Sequence, residues 1–443
     1  MNKTIVTIID APCGAGKTSW AIQEMINNTN KSYVFCTPYL DEIKRVRRST
    51  CQTTHICNDY NCPCSQSSVV EPMHYSLDSE FNTGHKIDSF NALLKSGSNI
   101  AVTHQTFLNS TPETTEYITQ GEYTLILDET MDIITDFNSY VNNSPFYMLH
   151  KKDIKELLIG KSLISIDNTN CGKISWVEGE PTGEKFTEVK HLADLDRLYM
   201  AKNTTILCVF PPEIFLDGCF NEIYVLTYMF EGSILKHYFD VFGIEYERKS
   251  IKQVNGSYCI CEYDSEIDRA FRINCKQLIN VITPETVVTG VKVAKLFNYK
   301  DSAFSKSWCE SLDGRNSSIR NNTRNFIRRI ANCTSDDVLW TTYKSAESLF
   351  CPDGCKQSFL SCNARATNNY SSRHTLAYLC NMYANPMITD WLSANGTSWN
   401  KDAYALSSLI QWIFRSAIRN GESIIIYIPS NRMRNILLNW LDI

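Results

Sequence analysis

The chain has 443 residues, 43% hydrophobic and 21% charged, which is enough apolar material for two packed domains and too much for a disordered chain. Its net charge of −5 gives no uniform basic field, and no apolar run reaches the about 18 residues that a membrane span needs. The 18 cysteines are scattered over a long chain, and no leader-like apolar stretch opens it, so reduced thiols and a cytoplasmic, membrane-free setting are expected.

Residues 4–10 (TIVTIID) form a β-branched run suited to a buried strand, and a glycine turn with a helix from about Lys17 follows. Strands are expected at 33–37 (YVFCT), 99–104 (NIAVTH) and 123–128 (YTLILD), with a charged helix at 41–48. Strands alternating with helices imply a parallel sheet covered on both faces. Two more strands are expected at 204–210 and 222–227, and the Gly- and Pro-containing stretch from 168 reads as an insertion ending near 200. From about 245 the alternation resumes. A basic helix is expected at 317–331, strands at 338–343 and 359–363, helices at 373–383 and 403–419, a strand at 424–428 and a closing helix. The reading is α/β, with one domain at 1–242 and a second at 243–443. Charge divides the same way: residues 1–240 carry 19 Lys+Arg against 30 Asp+Glu (−11), and 241–443 carry 24 against 18 (+6). Such asymmetry hints at an interaction surface.

The strongest chemical signal is Ala11-Pro12-Cys13-Gly14-Ala15-Gly16-Lys17-Thr18, with Ser19 following. It fits a P-loop and lies, as one must, between a strand and a helix. Glycines let backbone N–H groups converge on phosphate oxygens, Lys17 reaches the β/γ-phosphates, and Thr18 ligates Mg²⁺. The second signal is the strand ending in Asp128-Glu129. Asp128 can hold Mg²⁺ beside the loop and Glu129 can orient or deprotonate water, so hydrolysis of ATP is expected rather than binding alone. The third is Gln411, Arg415 and Arg419, which on one helix make a single polar stripe. With a P-loop upstream, that stripe reads as a γ-phosphate contact with an arginine finger.

Cys51, Cys57, Cys62 and Cys64, with His55 among them, form a dense group at about 49–66. The spacing C-x5-C-x4-C-x-C matches no standard zinc pattern, and either a zinc or iron–sulfur site or a thiol-bearing polar loop is open.

Taken in order, these motifs resemble superfamily 2 helicases and translocases of the DEAD/DEAH-box type, especially helicase-like proteins encoded by bacteriophages. The similarity spans nearly the whole chain. Thr37-Pro38 looks like motif Ia, and Thr103-His104 like the threonine element that follows it. Thr227 sits at the coupling motif, Trp340-Thr341-Thr342 resembles motif IV, and the segment from Asn363 through Arg365 to Asn368 resembles motif V. The resemblance implies two tandem RecA-like domains with ATP in the interdomain cleft. It further implies nucleic-acid contacts from Thr37, Pro38, Thr103, His104, Thr342 and Arg365, single-stranded DNA favoured, and partners in phage replication or recombination. There are departures: Thr130-Met131 follow Asp128-Glu129, Tyr228-Met229 replace Ala-Thr, Phe414 stands where Gly is usual, and ten residues precede the P-loop. These bear on strand separation more than on hydrolysis. A phage DNA-packaging ATPase would need an acidic trio in the second domain, and a nucleotide-dependent binding switch would hydrolyse ATP without a response to DNA or RNA.

Overall fold

In chain order the strands are β1 Val6–Asp10, β2 Tyr33–Thr37, β3 Val69–Val70, β4 Asn99–Thr103, β5 Thr124–Asp128, β6 Ile134–Asp136, β7 Ile164–Asp167, β8 Lys173–Trp176, β9 Leu198–Ala201, β10 Thr205–Val209, β11 Glu222–Thr227, β12 Tyr246–Val254 and β13 Ser257–Glu262, then β14 Ile279–Ile282, β15 Val338–Thr341, β16 Thr375–Tyr378 and β17 Ile424–Tyr427. They belong to a computed structural model that describes residues 4–50, 69–70, 86–202, 204–216, 218–315, 318–362 and 369–442. The Cys51–Cys64 group and the segment holding Arg365 lie outside these residues. The chain divides into two units. One is Met1–Asp10, Gly16–Glu262 and Asn385–Trp399; the other is Ala11–Ala15, Tyr263–Ala384 and Asn400–Ile443. The first therefore runs past the expected boundary at 242 and takes back a C-terminal segment.

The first unit is built on a sheet of order β13-β12-β1-β11-β5-β2-β4-β3, parallel except for the β12–β13 hairpin. Its central strands are near-continuous apolar runs because helices cover both faces. Val6, Ile8, Val34, Ile100, Leu125 and Val225 are almost fully enclosed and share one core with Phe107, Phe215 and Tyr238.

Residues 134–209 form a separate antiparallel sheet, β6-β10-β9-β8-β7, with its own core around Leu158, Ile174 and Leu198. Two expectations are corrected here. The insertion starts near 134 rather than 168, and β10 belongs to it rather than to the parallel sheet. The cause is the short link from Ala201 to Thr205; so few residues can close a hairpin but cannot make a parallel crossover. Arg197, buried at the start of this sheet's β9, donates to the carbonyls of Leu108 and Ser110 and so ties the inserted sheet to the parallel unit.

The second unit has a four-stranded parallel sheet, β14-β17-β16-β15. The helix expected at 373–383 is instead β16, whose four residues are all buried between two neighbours. An apolar run this short has no periodicity to separate strand from helix. The strand expected at 359–363 reduces to a single bridge from Phe359 to Trp340. At the N-terminal ends of these strands, His374 Nδ1 donates to Asp337 at 2.8 Å and Nε2 to Glu422 at 2.7 Å. The Asp337 bond, then that of Glu422, raises the imidazole pKa against a partial desolvation cost. A raised histidine pKa gives stability that is complete below the unfolded value of about 6.5 and lost as pH rises through the folded one. Because the cluster is well exposed, the effect is small: moving from pH 6 to pH 8 is expected to lower the second unit's unfolding midpoint by about 1–3 °C. In His374→Gln that pH-dependent part of the shift should vanish in scanning calorimetry.

Candidate nucleotide-binding site

β1 delivers the chain into the turn 11–16, which bends back through Ala15 N–H donating to the Pro12 carbonyl at 3.2 Å. Gly14 and Gly16 have φ of 82° and 91°, conformations that a side chain resists, which is why glycine recurs here. The helix Lys17–Asn27 then starts with no side-chain cap and no acidic residue in its first turn. The partial positive charge of that helix end is therefore not offset by a capping side chain or an acid in its own first turn, and it favours an anion.

Across the sheet, Thr18 Oγ1 donates to Asp128 Oδ1 at 3.2 Å, a contact between residues 110 apart in sequence. Asp128 ends β5 almost fully buried. Burial, and then repulsion from Glu129 and Glu42, push its carboxyl up to about 7, while Lys17 and the Thr18 hydroxyl pull it down. The pair is thus short of positive charge. Thr18 and Asp128 set a hydroxyl and a buried carboxyl side by side at the start of the helix Lys17–Asn27. Glu42, which raises the Asp128 carboxyl by repulsion and which sequence reading passed over, sits in the first turn of the helix Leu40–Ser49, salt-bridged to Arg45 at 2.8 Å.

The other motif residues of this unit gather at the same sheet edge. Register pairs Asp10 with Thr227, Leu226 with Asp128, and Thr37 with Thr103, so β1, β2, β4, β5 and β11 all end there. Ligands of open parallel sheets bind outside the carboxyl ends of strands. Two non-glycine residues in left-handed backbone mark the edge: Glu129 at φ 66°, held by its N–H to the Leu226 carbonyl at 2.9 Å, and Met229 at φ 62°. Strained positions of this kind cluster at functional sites. His104 Nε2 donates to the Asp128 carbonyl at 3.0 Å, which ties the end of β4 to that of β5. Asp10, also unforeseen, accepts from Met229 N at 2.8 Å and Phe230 N at 3.2 Å and pairs with Arg248 at 2.8 Å. It stitches the turn after Thr227 to the strand that carries the P-loop. An Asp closing a buried β-branched strand was the available signal.

Several residues expected to contact nucleic acid, and the expected coupling residue Thr227, are enclosed in this structure. Thr37 and Thr227 are sealed in the sheet, and Thr103 caps the helix His104–Leu108 by accepting from Thr106 N. His104 is buried on Asp128, while Pro38 stays half-exposed. In the second unit Thr342 is fully enclosed and its hydroxyl donates to the Leu379 carbonyl at 3.3 Å. The stripe of Gln411, Arg415 and Arg419 is broken too. The helix Lys401–Ile413 stops at Phe414, Arg415 lies buried in the turn, and Arg419 is exposed in the 3₁₀ turn Ala417–Asn420. Gln411 is half-buried, its amide 3.5 Å from Ser407 Oγ.

The fold is therefore mixed α/β, and β1 of the first unit's parallel sheet leads into the glycine turn 11–16. Residues 274–441 match the family model described as the YonV C-terminal Rossmann-like domain. The chain belongs to the YonV family: SPbeta prophage-derived YonV of Bacillus subtilis (strain 168) is 34% identical over 446 residues, spanning 99% of this chain and 98% of that protein. Among solved structures, S. tokodaii Xpd4 aligns with a TM-score of 0.44 and 12% identity, covering 98% of this chain and 94% of that one. The DUF1998 helicase MrfA bound to DNA aligns at 0.33 and 9% identity, covering 98% and 46%. Agreement this loose assigns no function. Among the described residues no helix is long and apolar enough to cross a membrane, and no group of three or more His, Cys, Asp or Glu is arranged to hold a metal ion.

Proposed function

We propose that the chain is an ATP-hydrolysing enzyme of the helicase or translocase type, acting on nucleic acid, with single-stranded DNA the favoured track. The observation that carries this is the contact of Thr18 with the buried Asp128, at an edge where five strands bring their motif residues together. In this reading the N–H groups of the turn 12–18 and the Lys17 ammonium hold the triphosphate. Thr18 and Asp128 would hold Mg²⁺, which when bound supplies charge neutralisation for the phosphate oxygens. Glu129, set by its left-handed backbone beside Asp128, orients the attacking water and takes its proton. Asp10 and His104 connect neighbouring strand ends, so a change at the triphosphate is passed to the turns after Thr103 and Thr227. The guanidinium contribution expected of Arg415 or Arg419 is not required for this part of the reading.

The experiment is steady-state ATPase rate with single-stranded DNA, duplex DNA and RNA added in turn. A rise with single-stranded DNA is expected; a rate indifferent to all three would discard nucleic acid as the partner. Lys17→Ala should lower the rate by about 10²–10³-fold, since it removes a fixed donor aimed at the transferring phosphoryl group.

A further inference from the structure

The hairpin of β12 and β13 stands beside the P-loop. β12 is parallel to β1, with Lys249 opposite Ile9, and it continues five residues further, to Val254. At ~3.3 Å per residue it rises roughly 17 Å beyond that register, past the sheet edge where the phosphate-binding turn lies. The return at Asn255-Gly256, with φ of 50° and 84°, is the tight turn that Asn-Gly favours. Coming back along β13, Tyr258 is locked to the helix of the P-loop. Gln23 Nε2 donates to the Tyr258 carbonyl and Tyr258 N donates to Gln23 Oε1, both at 3.1 Å. The tyrosine ring rests directly on Gly16: a Cβ added there would meet Cε1 at 2.0 Å. The ring is thus pinned to the last glycine before Lys17, yet stays half-exposed.

We propose that Tyr258 is the nucleobase platform of the triphosphate site, the base stacking on its ring while the turn 12–18 holds the phosphates. This rests on the nucleotide-binding reading above. An aromatic face fixed beside a phosphate cradle offers apolar area at little cost in conformational entropy, and stacking is worth enough per base to matter for affinity. Every base has such a face, so the platform selects for a base being present and only weakly for which one. ATP and GTP should bind with similar affinity.

The test compares affinity for Mg–ATP with that for Mg–tripolyphosphate, which has the phosphates and no base, in the full chain by isothermal titration. In Tyr258→Ala the ATP affinity should fall about 10-fold while tripolyphosphate affinity is kept, and Tyr258→Phe should retain both. If ATP affinity in Tyr258→Ala is unchanged, no base rests on the ring. If both ligands weaken equally in Tyr258→Ala and recover in Tyr258→Phe, the ring only props the turn, and the base contact is again overturned. A wild-type chain that binds tripolyphosphate but gains nothing from adenosine overturns the platform and leaves the phosphate site standing. A wild-type chain that binds neither overturns the nucleotide reading, and the platform with it.

Discussion

Asp128→Asn is expected to abolish ATP hydrolysis and, in the same molecule, to raise the unfolding midpoint at pH 8. The two effects have one origin. The carboxyl is buried with Glu129 and Glu42 repelling it, and its pKa is raised to about 7 against the pull of Lys17 and Thr18. The folded state therefore holds a proton that the unfolded chain, with an ordinary aspartate near 4, has lost. Stability from this group is greatest below about pH 4, declines up to about pH 7, and is at its lowest above that. Asparagine keeps an oxygen able to accept from Thr18 and has no charge to bury, so at pH 8 it escapes a cost of a few kcal/mol and the midpoint should rise by about 5 °C. Hydrolysis should fall by at least about 10²-fold, because the amide no longer offers the anionic oxygen that a divalent cation needs. Mg–ATP should then stabilise the wild type more than the variant, by linkage of binding to folding. Thermal scans at pH 5 and pH 8 check the sign. A variant no more stable than wild type at pH 8 would mean that Asp128 is not under this strain.

How far the site could be read in advance depended on how local its chemistry is. Gly14, Gly16, Lys17 and Thr18 are neighbours in sequence, so their spacing alone placed the turn between β1 and the helix Lys17–Asn27. The place of Asp128 beside that turn was legible because an Asp-Glu pair closing an apolar strand follows the glycine turn at about 110 residues, although strands often end in an acid. Asp10 had the same signature and was passed over, since its partners, Met229, Phe230 and Arg248, lie more than 200 residues away. The fold shows the same division. Buried parallel strands advertise themselves as β-branched runs, yet β10 has that composition in an antiparallel sheet, and β16 looked helical. What decided both was the neighbour on either side, which a single sequence does not display. The polar stripe of Gln411, Arg415 and Arg419 failed for another reason. Periodicity assumed a helix to 419, whereas the helix ends at Ile413 and turns Arg415 inward.

The return of residues 385–399 to the first unit has the largest expected consequence for stability. Asn385 accepts from Met387 N to start the helix Pro386–Ala394, and Ile388, Trp391 and Leu392 enter the core of the parallel sheet. Trp391 lies edge-on to Tyr199, with ring centroids 5.6 Å apart, and 6.2 Å from Phe242, and its indole N–H donates to the Cys171 carbonyl at 2.9 Å. Trp391→Ala would leave a cavity beside both rings and an orphaned carbonyl, a loss of about 3–5 kcal/mol. Trp391→Phe keeps an aromatic ring there and should lose well under half as much. The neighbouring Lys202–Asp390 pair is exposed, so Asp390→Ala should change little. The same packing bears on any attempt to isolate the nucleotide-binding unit. A chain ending at residue 262 contains every strand of the parallel sheet but lacks the helix that covers Tyr199 and Phe242. It should unfold at markedly lower urea than a chain in which residues 385–399 are rejoined to it through a flexible linker. Equal urea midpoints for the two would show that this helix rests on a core already complete without it.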